Sequence, residues 1–228
     1  MTQKRYQKQI AISQIGKAGQ ERLERSVVTV IGCGGLGSPA LTYLACAGIG
    51  TLRIIDHDIV EESNLNRQFL HTTDSVGMAK TESAAKRLKE INPCIRIEAI
   101  QQELTKENVK TLLTGSDVVL SCLDHLSARL IAGAACIEMG IPMIEGGVCG
   151  FQGFLSVIEE PGQMLDRLGF RDPDGQEEPA VIGVAPGIIG TLQAAECIKW
   201  LLHLQSRSRK ELLVVDLLDL RLEHIPLH

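Results

Sequence analysis

The chain has 228 residues, a length that fits one large domain or one domain with an appendage. A formal net charge of −5 argues against nucleic acid or an anionic membrane as the main partner, and no apolar run is long enough to span a bilayer. With 44% hydrophobic but only 3% aromatic residues, the core must be aliphatic. No apolar signal segment follows the first residues, so we expect a cytoplasmic protein.

The first part of the chain predicts a basic arm followed by an α/β core. Residues 1–25 are expected to form an N-terminal arm with a helix, and strands alternate with helices from residue 26 to about 145. Continuously apolar strands in such an alternation are typical of a doubly wound, Rossmann-like and mostly parallel sheet. The predicted strands are 27–31, 51–56, 94–100, 117–122 and 142–145, and the predicted helices are 38–48, 77–92, 105–113 and 125–140.

The first strand runs directly into a turn that contains four glycines, which are Gly32, Gly34, Gly35 and Gly37. Glycines let the backbone approach an anion, and the helix that follows points free N–H groups and its positive dipole end at that anion. We expect Ser38 to cap this helix and Pro39 to lie in its first turn. Asp56 ends the next strand about 20 residues on, where a nucleotide ribose would lie. This order predicts a nucleotide site; the alternative is a tight turn without a ligand.

Six further polar candidates follow strand ends, namely Asp58, Asn64, Arg67, Lys80, Asp124 and His125. Lys80 falls in the first turn of a helix, where the helix dipole disfavours a cation, so a nearby anion would explain its place better than solvation does. Arg67 could grip phosphate oxygens with two prongs or form a surface ion pair with Glu61 or Glu62. Asp124 could hold Mg²⁺ or cap the next helix. Two cations, a carboxylate and a glycine turn together favour a nucleoside triphosphate.

After residue 145 the pattern changes, and 146–228 forms a C-terminal part. An extended stretch over 151–158 precedes a polar, turn-rich segment that we expect to be a surface loop over 159–180. A helix over about 187–204 and two short antiparallel strands, 212–216 and 219–225, are predicted to close the chain.

Seven cysteines are scattered along the chain, and no two of them form a Cys-x-x-Cys pair. An odd number at these spacings supports neither a disulfide framework nor a tetrahedral zinc site. Cys33 and Cys122 lie next to candidate site residues, and we interpret both as small buried side chains rather than nucleophiles.

These motifs and their order resemble the ThiF/MoeB/HesA family, which are relatives of the ubiquitin-activating enzymes. The resemblance covers the chain from Arg5 to about Leu222. It rests on Arg5-Tyr6-x-x-Gln9, the glycine turn, Asp56-x-Asp58, Ser63-Asn64-x-x-Arg67-Gln68, Val76-Gly77-x-x-Lys80, Asn92-Pro93, Asp124 and the segment from Gly190 to Lys199.

The resemblance implies an adenylyltransferase that uses ATP and Mg²⁺ as one ThiF-type domain over 1–228. It would activate the C-terminal glycine carboxylate of a ubiquitin-like sulfur-carrier protein ending in Gly-Gly as an acyl-adenylate, releasing pyrophosphate. By resemblance, the glycine turn approaches the phosphates and Asp56 binds the ribose. Asp58, in the same motif, would also belong to the nucleotide-binding residues. Asn64, Arg67 and Lys80 would contact the triphosphate, Asp124 would serve the magnesium, and His125 would either touch the nucleotide or only begin its helix. The loop 159–180 would bind the carrier.

The resemblance also implies a homodimer in which the N-terminal arm lends a cation to the neighbouring site. Lys8 stands where the family usually has this arginine, and it keeps the charge but loses the fork. The family usually binds a structural zinc through cysteine pairs, and the first of these pairs is missing near 162–165, so we predict no zinc. The family's loop cysteine is also missing near 176–180. The chain is therefore expected to stop at the adenylate and to pass the acyl group to a separate sulfur donor or amine.

Two other functions remain open from the sequence. An NAD- or FAD-dependent oxidoreductase fits the glycine turn and Asp56, but it leaves Arg67, Lys80 and Asp124 unexplained. A non-catalytic carrier-binding module fits the loss of the zinc pairs, the loop cysteine and the arm arginine. Within the adenylation hypothesis, a peptide or a small-molecule carboxylate is the alternative substrate.

Overall fold

One mixed sheet of eight strands organises the computed structural model, which describes residues 4–160, 163 and 180–227. The strands are β1 (Val27–Ile31), β2 (Thr51–Asp56), β3 (Arg96–Gln101), β4 (Val118–Ser121), β5 (Met143–Cys149), β6 (Gln152–Ile158), β7 (Glu211–Asp216) and β8 (Arg221–Pro226). Their order across the sheet is β3-β2-β1-β4-β5-β6-β7-β8. Neighbours from β3 to β5 are parallel and those from β5 to β8 antiparallel, which confirms the predicted fold class.

Helices cover both faces of the parallel part. They are α1 (Gln7–Ile10), α2 (Gly16–Arg25), α3 (Gly37–Ala47), α4 (Lys80–Ile91), α5 (Val109–Leu113), α6 (Leu126–Met139) and α7 (Val184–Leu201). Helices α2, α3, α4 and α7 share one hydrophobic cluster with the sheet, and α5 and α6 share the other. The largest fully buried side chains are leucines and isoleucines, as the composition predicts. In the described part of the chain, no helix is long and apolar enough to cross a lipid bilayer.

Several local predictions are wrong, because a side chain or the backbone favours another arrangement. The helix predicted over 77–92 begins only at Lys80, because Gly77 has a φ of +88°, which is not helical. The helix predicted over 105–113 begins only at Val109, because the Asn108 side chain accepts a hydrogen bond from the backbone N–H of Thr105 at 2.8 Å and makes a turn there. Ser38 does not cap α3; it is buried inside the helix. The late helix ends at Leu201 rather than at 204, because His203 has a φ of 55°, which cannot continue a helix.

The chain order reverses between β1 and β4, which is where ligands bind in open α/β sheets. The N–H of Gly32 donates to the carbonyl of Ile55 at 2.8 Å, and the N–H of Cys122 donates to the carbonyl of Ile31 at 2.8 Å. These bonds extend the three strands to their carboxyl ends. The glycine turn, Asp56 and Asp124 therefore meet at one edge of the sheet.

Candidate active site

The glycine turn is built so tightly that two of its positions admit only glycine. A Cβ atom on Gly32, whose φ is +90°, would lie 2.5 Å from the carbonyl oxygen of Cys122. A Cβ on Gly37 would lie 2.2 Å from the carbonyl oxygen of Gly32. Gly34 and Gly35 line a cavity above the turn, so the backbone itself forms part of the cavity wall. This is the close backbone approach that a phosphate site needs.

Asp56 links the turn to the end of β2. One carboxylate oxygen accepts a hydrogen bond from the backbone N–H of Cys33 at 2.8 Å, and the other accepts one from the N–H of Asp58 at 2.9 Å. The Cys33 thiol also donates to Asp56, at 3.3 Å. Burial and the Asp56 charge raise the pKa of Cys33, and burial raises the pKa of Cys122, so both stay protonated. Both thiols are buried, as predicted.

Lys80 is the first residue of α4, and its ammonium group lies 2.8 Å from a carboxylate oxygen of Asp58. The lysine side chain is 9% exposed, whereas that of Asp58 is 46% exposed. Burial acts to lower the pKa of Lys80, but the hydrogen bond to Asp58 and the nearby acidic charges outweigh it and raise the pKa. Burial likewise acts to raise the pKa of Asp58, but Lys80 outweighs it and lowers the pKa. The site therefore holds a charged lysine before any phosphate arrives.

A short 3₁₀ helix, Glu62–Asn64, sets the loop that carries Arg67. The Asn64 side-chain oxygen accepts a hydrogen bond from the N–H of Glu61 at 3.1 Å, which caps this helix. The Arg67 guanidinium donates to the carbonyl of Ser63 and to the side-chain oxygen of Asn66, both at 3.0 Å. These bonds hold the guanidinium against the cavity wall.

Gln68 is a cavity residue to which sequence reasoning gave no role, although it stands in the motif that contains Arg67. It is 4% exposed, and its side-chain oxygen accepts no hydrogen bond from the described residues. Its amide lies against Gly34, where an added Cβ would come within 3.4 Å of the amide nitrogen. A buried polar atom without a partner at a cavity wall fits a ligand or water that completes the bond. The site thus suits a polar ligand beside the glycine turn.

Asp124 follows β4 by three residues, and its side chain is 62% exposed on the cavity. It does not cap α6: the N-cap residue is His125, which makes no side-chain capping bond. The His125 ring nitrogen lies 3.9 Å from the Asp124 carboxylate. His125 therefore begins its helix, as one of the two sequence interpretations expects.

Two adjoining cavities bring most of the predicted residues together. The first is lined at the ends of β1, β2 and β4, and the second by the loop 58–68 and residues 180–181. Neither lining includes Gly37, His125 or Lys8. Asn64 lines the second cavity and Asp56 the first. Both cavities are lined by the side chains of Asp58, Arg67, Gln68, Lys80 and Asp124.

The carboxylates at this edge differ in how far they are free to bind a metal ion. Ligand atoms of Asp56, His57 and Asp58 lie within 4.8 Å of one another. Asp56 is occupied by two backbone N–H groups, however, and Asp58 by Lys80. Asp124 stands apart from that group and offers an exposed carboxylate. It fits Mg²⁺, which takes one or two carboxylates together with phosphate oxygens.

A model of the ThiF family matches residues 6–228. The chain belongs to the ThiF family. This confirms the resemblance drawn from the motifs. Among relatives of this ThiF-family chain, the sulfur carrier protein adenylyltransferase of Thermus thermophilus is 38% identical over 94% of the chain and 83% of its own length. The sulfur carrier protein ThiS adenylyltransferase of Escherichia coli is 42% identical, over 86% and 80%. The SAMP-activating enzyme E1 of Haloferax volcanii is 37% identical, over 97% and 84%.

Solved structures show the same fold. Escherichia coli MccB matches with a TM-score of 0.85 at 21% identity, covering all (100%) of this chain and 70% of its own. PaaA matches with a TM-score of 0.83 at 25% identity, covering 99% and 73%.

The relatives confirm that this ThiF-family chain is an enzyme and an adenylyltransferase. They set aside the oxidoreductase and the non-catalytic module. The expected absences of a zinc pair near 162–165 and of a loop cysteine near 176–180 fall on residues that, except for Gln163 and Ala180, lie outside the described residues.

Proposed function

We propose that this enzyme uses Mg-ATP to adenylate the C-terminal glycine carboxylate of a ubiquitin-like sulfur-carrier protein ending in Gly-Gly, releasing pyrophosphate. One observation carries the proposal: Arg67, Lys80 and Asp124 converge on the cavity whose wall is the glycine turn. The names of the relatives, which refer to sulfur carriers, ThiS and SAMP, support the substrate class.

The residues divide by the part of ATP that they would meet. The turn with Gly32, Gly34, Gly35 and Gly37 would let the phosphates approach the start of α3. Asp56 would bind the ribose from the end of β2, with Asp58 beside it. Asn64, Arg67 and Lys80 would contact the triphosphate from the second cavity.

Charge neutralisation is the main task of such a site. A carboxylate nucleophile is already ionised at neutral pH and needs no general base, but it is repelled by the triphosphate. Fixed cations that face the phosphates reduce this repulsion without reorganising during the reaction. Lys80 suits that task, because its partner Asp58 is half exposed and water can solvate it once the lysine turns to a phosphate. Asp124 would hold Mg²⁺, which would add positive charge beside the triphosphate.

The arm and the oligomer belong to the same proposal. Lys8 lies on α1, outside both cavities of its own chain, so it would act in the site of a second subunit of a homodimer. Exposed apolar side chains on α3 and α7, such as Tyr43, Val184 and Ile188, support a protein contact surface. We further propose that a separate sulfur donor or amine accepts the acyl group, and that the enzyme is cytoplasmic.

The test is ATP–pyrophosphate exchange with Mg²⁺ and a panel of ubiquitin-like carriers that end in Gly-Gly. We expect exchange with one carrier, and its loss when that carrier lacks the terminal glycine. If the enzyme bound ATP but exchanged pyrophosphate with no carrier, the proposal of a carrier-protein substrate would be wrong. A peptide or a small-molecule carboxylate would then be favoured as the substrate. Binding of NAD in place of ATP would overturn the nucleotide assignment.

A further inference from the structure

A buried arginine at the cavity has no role in the proposed function. Arg129 on α6 lines the first cavity and is 9% exposed. One terminal nitrogen of its guanidinium donates to a carboxylate oxygen of Glu145 at 2.7 Å and to the carbonyl of Gly146 at 2.9 Å. The other terminal nitrogen donates to the carbonyl of Leu123. Arg129 thus joins the carboxyl ends of β4 and β5 to α6.

Stability alone does not explain this ion pair. Glu145 is fully buried on β5, and its second carboxylate oxygen has no hydrogen bond of normal geometry among the described residues. The hydroxyl of its cross-strand neighbour Ser156 likewise lacks a partner there. Burial raises the pKa of Glu145 and outweighs the Ser121 hydroxyl and the N–H of Gly146, which lie near the carboxylate and act to lower it. Buried pairs with unsatisfied oxygens often stabilise a fold no better than apolar side chains of similar size. We therefore look for a functional role of the Arg129–Glu145 pair.

One of the two carbonyls that accept a hydrogen bond from Arg129 belongs to Leu123, the residue just before Asp124. Asp124 itself is largely exposed, so its place depends on the backbone that leads out of β4. Two bonds fix that backbone just before Asp124: the N–H of Cys122 donates to the carbonyl of Ile31 in β1, and the Arg129 guanidinium donates to the carbonyl of Leu123. Just after Asp124, the carbonyl of His125 accepts a hydrogen bond from the backbone N–H of Arg129 at 3.2 Å, so Asp124 lies between the backbone anchored at Leu123 and the start of α6.

We propose that Arg129, oriented by Glu145, is a positioning residue that sets Asp124 for the magnesium of Mg-ATP. This inference rests on the proposed function, because it assumes that Asp124 meets the metal. A lysine at this position could not replace the arginine, since a point charge cannot hold two carbonyls and a carboxylate in one plane.

The test measures ATP affinity by calorimetry, in Mg²⁺ and in EDTA, for the wild type, Arg129→Lys and the double variant Arg129→Met with Glu145→Met. The double variant removes both buried charges, so it is expected to fold and to melt near the wild type. Its gain in ATP affinity on adding Mg²⁺ is expected to fall by about 10- to 100-fold, with the affinity in EDTA unchanged.

A second arginine provides a matched control. Arg53 on β2 also donates to one carboxylate, that of Glu98 at 2.9 Å, and to two carbonyls, those of Leu112 and Thr114. It does not line either cavity. The variant Arg53→Met with Glu98→Met should keep the full Mg²⁺-dependent gain.

Three results would overturn the inference: a double variant at 129 and 145 that keeps the wild-type gain, equal losses in Mg²⁺ and EDTA, or a wild type without any gain. The failure of the proposed function would look different. It would appear as wild-type enzyme that binds Mg-ATP but exchanges pyrophosphate with no carrier.

Discussion

In the described structure, two ion pairs at the cavity are formed by a lysine or an arginine, and they differ in burial. Lys80 meets Asp58 at the cavity wall, and Asp58 is 46% exposed. Arg129 meets Glu145 beneath the wall, and Glu145 is 0% exposed. Water can solvate Asp58 if Lys80 leaves, but nothing can replace Arg129 at Glu145. The first pair can therefore exchange its partner for a phosphate, whereas the second holds the frame in which that exchange takes place.

Breaking the buried pair should have the largest effect on stability. Arg129→Met leaves Glu145 buried and unpaired, and burial already raises the pKa of this carboxyl despite the arginine. We expect the free energy of unfolding to fall by about 3–5 kcal/mol, measured by urea denaturation. Glu145→Gln in the same background should recover part of the loss, because it removes the unpaired charge. An Arg129→Met protein as stable as the wild type would show that Glu145 does not depend on Arg129 in the folded protein.

Breaking the half-exposed pair should affect activity and leave stability nearly unchanged. Lys80→Met should lower the rate of pyrophosphate exchange by about 10²- to 10³-fold, since it removes a fixed cation from the triphosphate. The free energy of unfolding should change by no more than about 1 kcal/mol, because Asp58 stays solvated.

Lys86→Met on the exposed side of the same helix is the matched control, and it should keep full exchange. If the Lys80→Met protein exchanged pyrophosphate at the normal rate, Lys80 would have no role in contacting the triphosphate. A large loss of stability would indicate that the lysine serves the fold.

Two buried glutamines, Gln193 and Gln68, should show the same division between stability and activity, with smaller effects. Gln193 on α7 donates to the carbonyls of Ser121 at 2.7 Å and Ile144 at 3.2 Å, whereas the Gln68 oxygen has no partner in the described structure. Gln193→Met should therefore cost about 1–3 kcal/mol of unfolding free energy. Gln68→Met should leave that free energy unchanged or raise it, and should weaken ATP binding about tenfold, a loss of roughly 1.4 kcal/mol. Calorimetry and thermal melts on both variants check this, and ATP affinity unaffected at Gln68 would contradict it.

The smallest effect expected is a pH dependence from His71, behind the glycine turn. Its ring nitrogens lie 3.1 Å from the carbonyl oxygen of Cys33 and 3.0 Å from the hydroxyl of Ser83. Burial lowers the pKa of His71 below its ordinary 6.5. The unfolded chain therefore binds a proton near pH 6.5 while the folded chain does not, so stability should fall as the pH drops below 6.5. Urea midpoints between about pH 5 and 7.5 should show a steeper acid loss for the wild type than for His71→Gln. Parallel curves would contradict this role.

The same contrast explains what the sequence could predict. Lys80 could be found because a cation at a helix start conflicts with the helix dipole, and Asp56 and Asp124 because polar residues follow apolar strands. These are local signals. Arg129 also lies near a helix start, as the fourth residue of α6, but nothing local indicates its partner, which is sixteen residues away in the sequence. Glu145, a charge inside an apolar strand, was a second sign that a buried cation must face it.

The sheet could be predicted from the sequence, whereas some local element ends could not. The sheet follows from the apolar strands and the alternation of elements, as the order around β1 confirms. Two wrong predictions fall where one side chain finds another partner. Asn108 closes a turn in place of a helix start, and the buried Ser38 hydroxyl accepts a hydrogen bond from the N–H of Leu70 at 3.5 Å instead of capping α3. Propensity ranks residue types but does not show which neighbour a side chain will meet.

The most direct measurement is a crystal structure with Mg²⁺ and a non-hydrolysable ATP analogue. We expect the Lys80 ammonium to leave Asp58 for a phosphate oxygen, while Arg129 still contacts Glu145 and Leu123 and Asp124 binds the metal. A Lys80 that remains on Asp58 while the triphosphate lies elsewhere, or an Arg129 that moves onto a phosphate, would contradict the division between the two pairs.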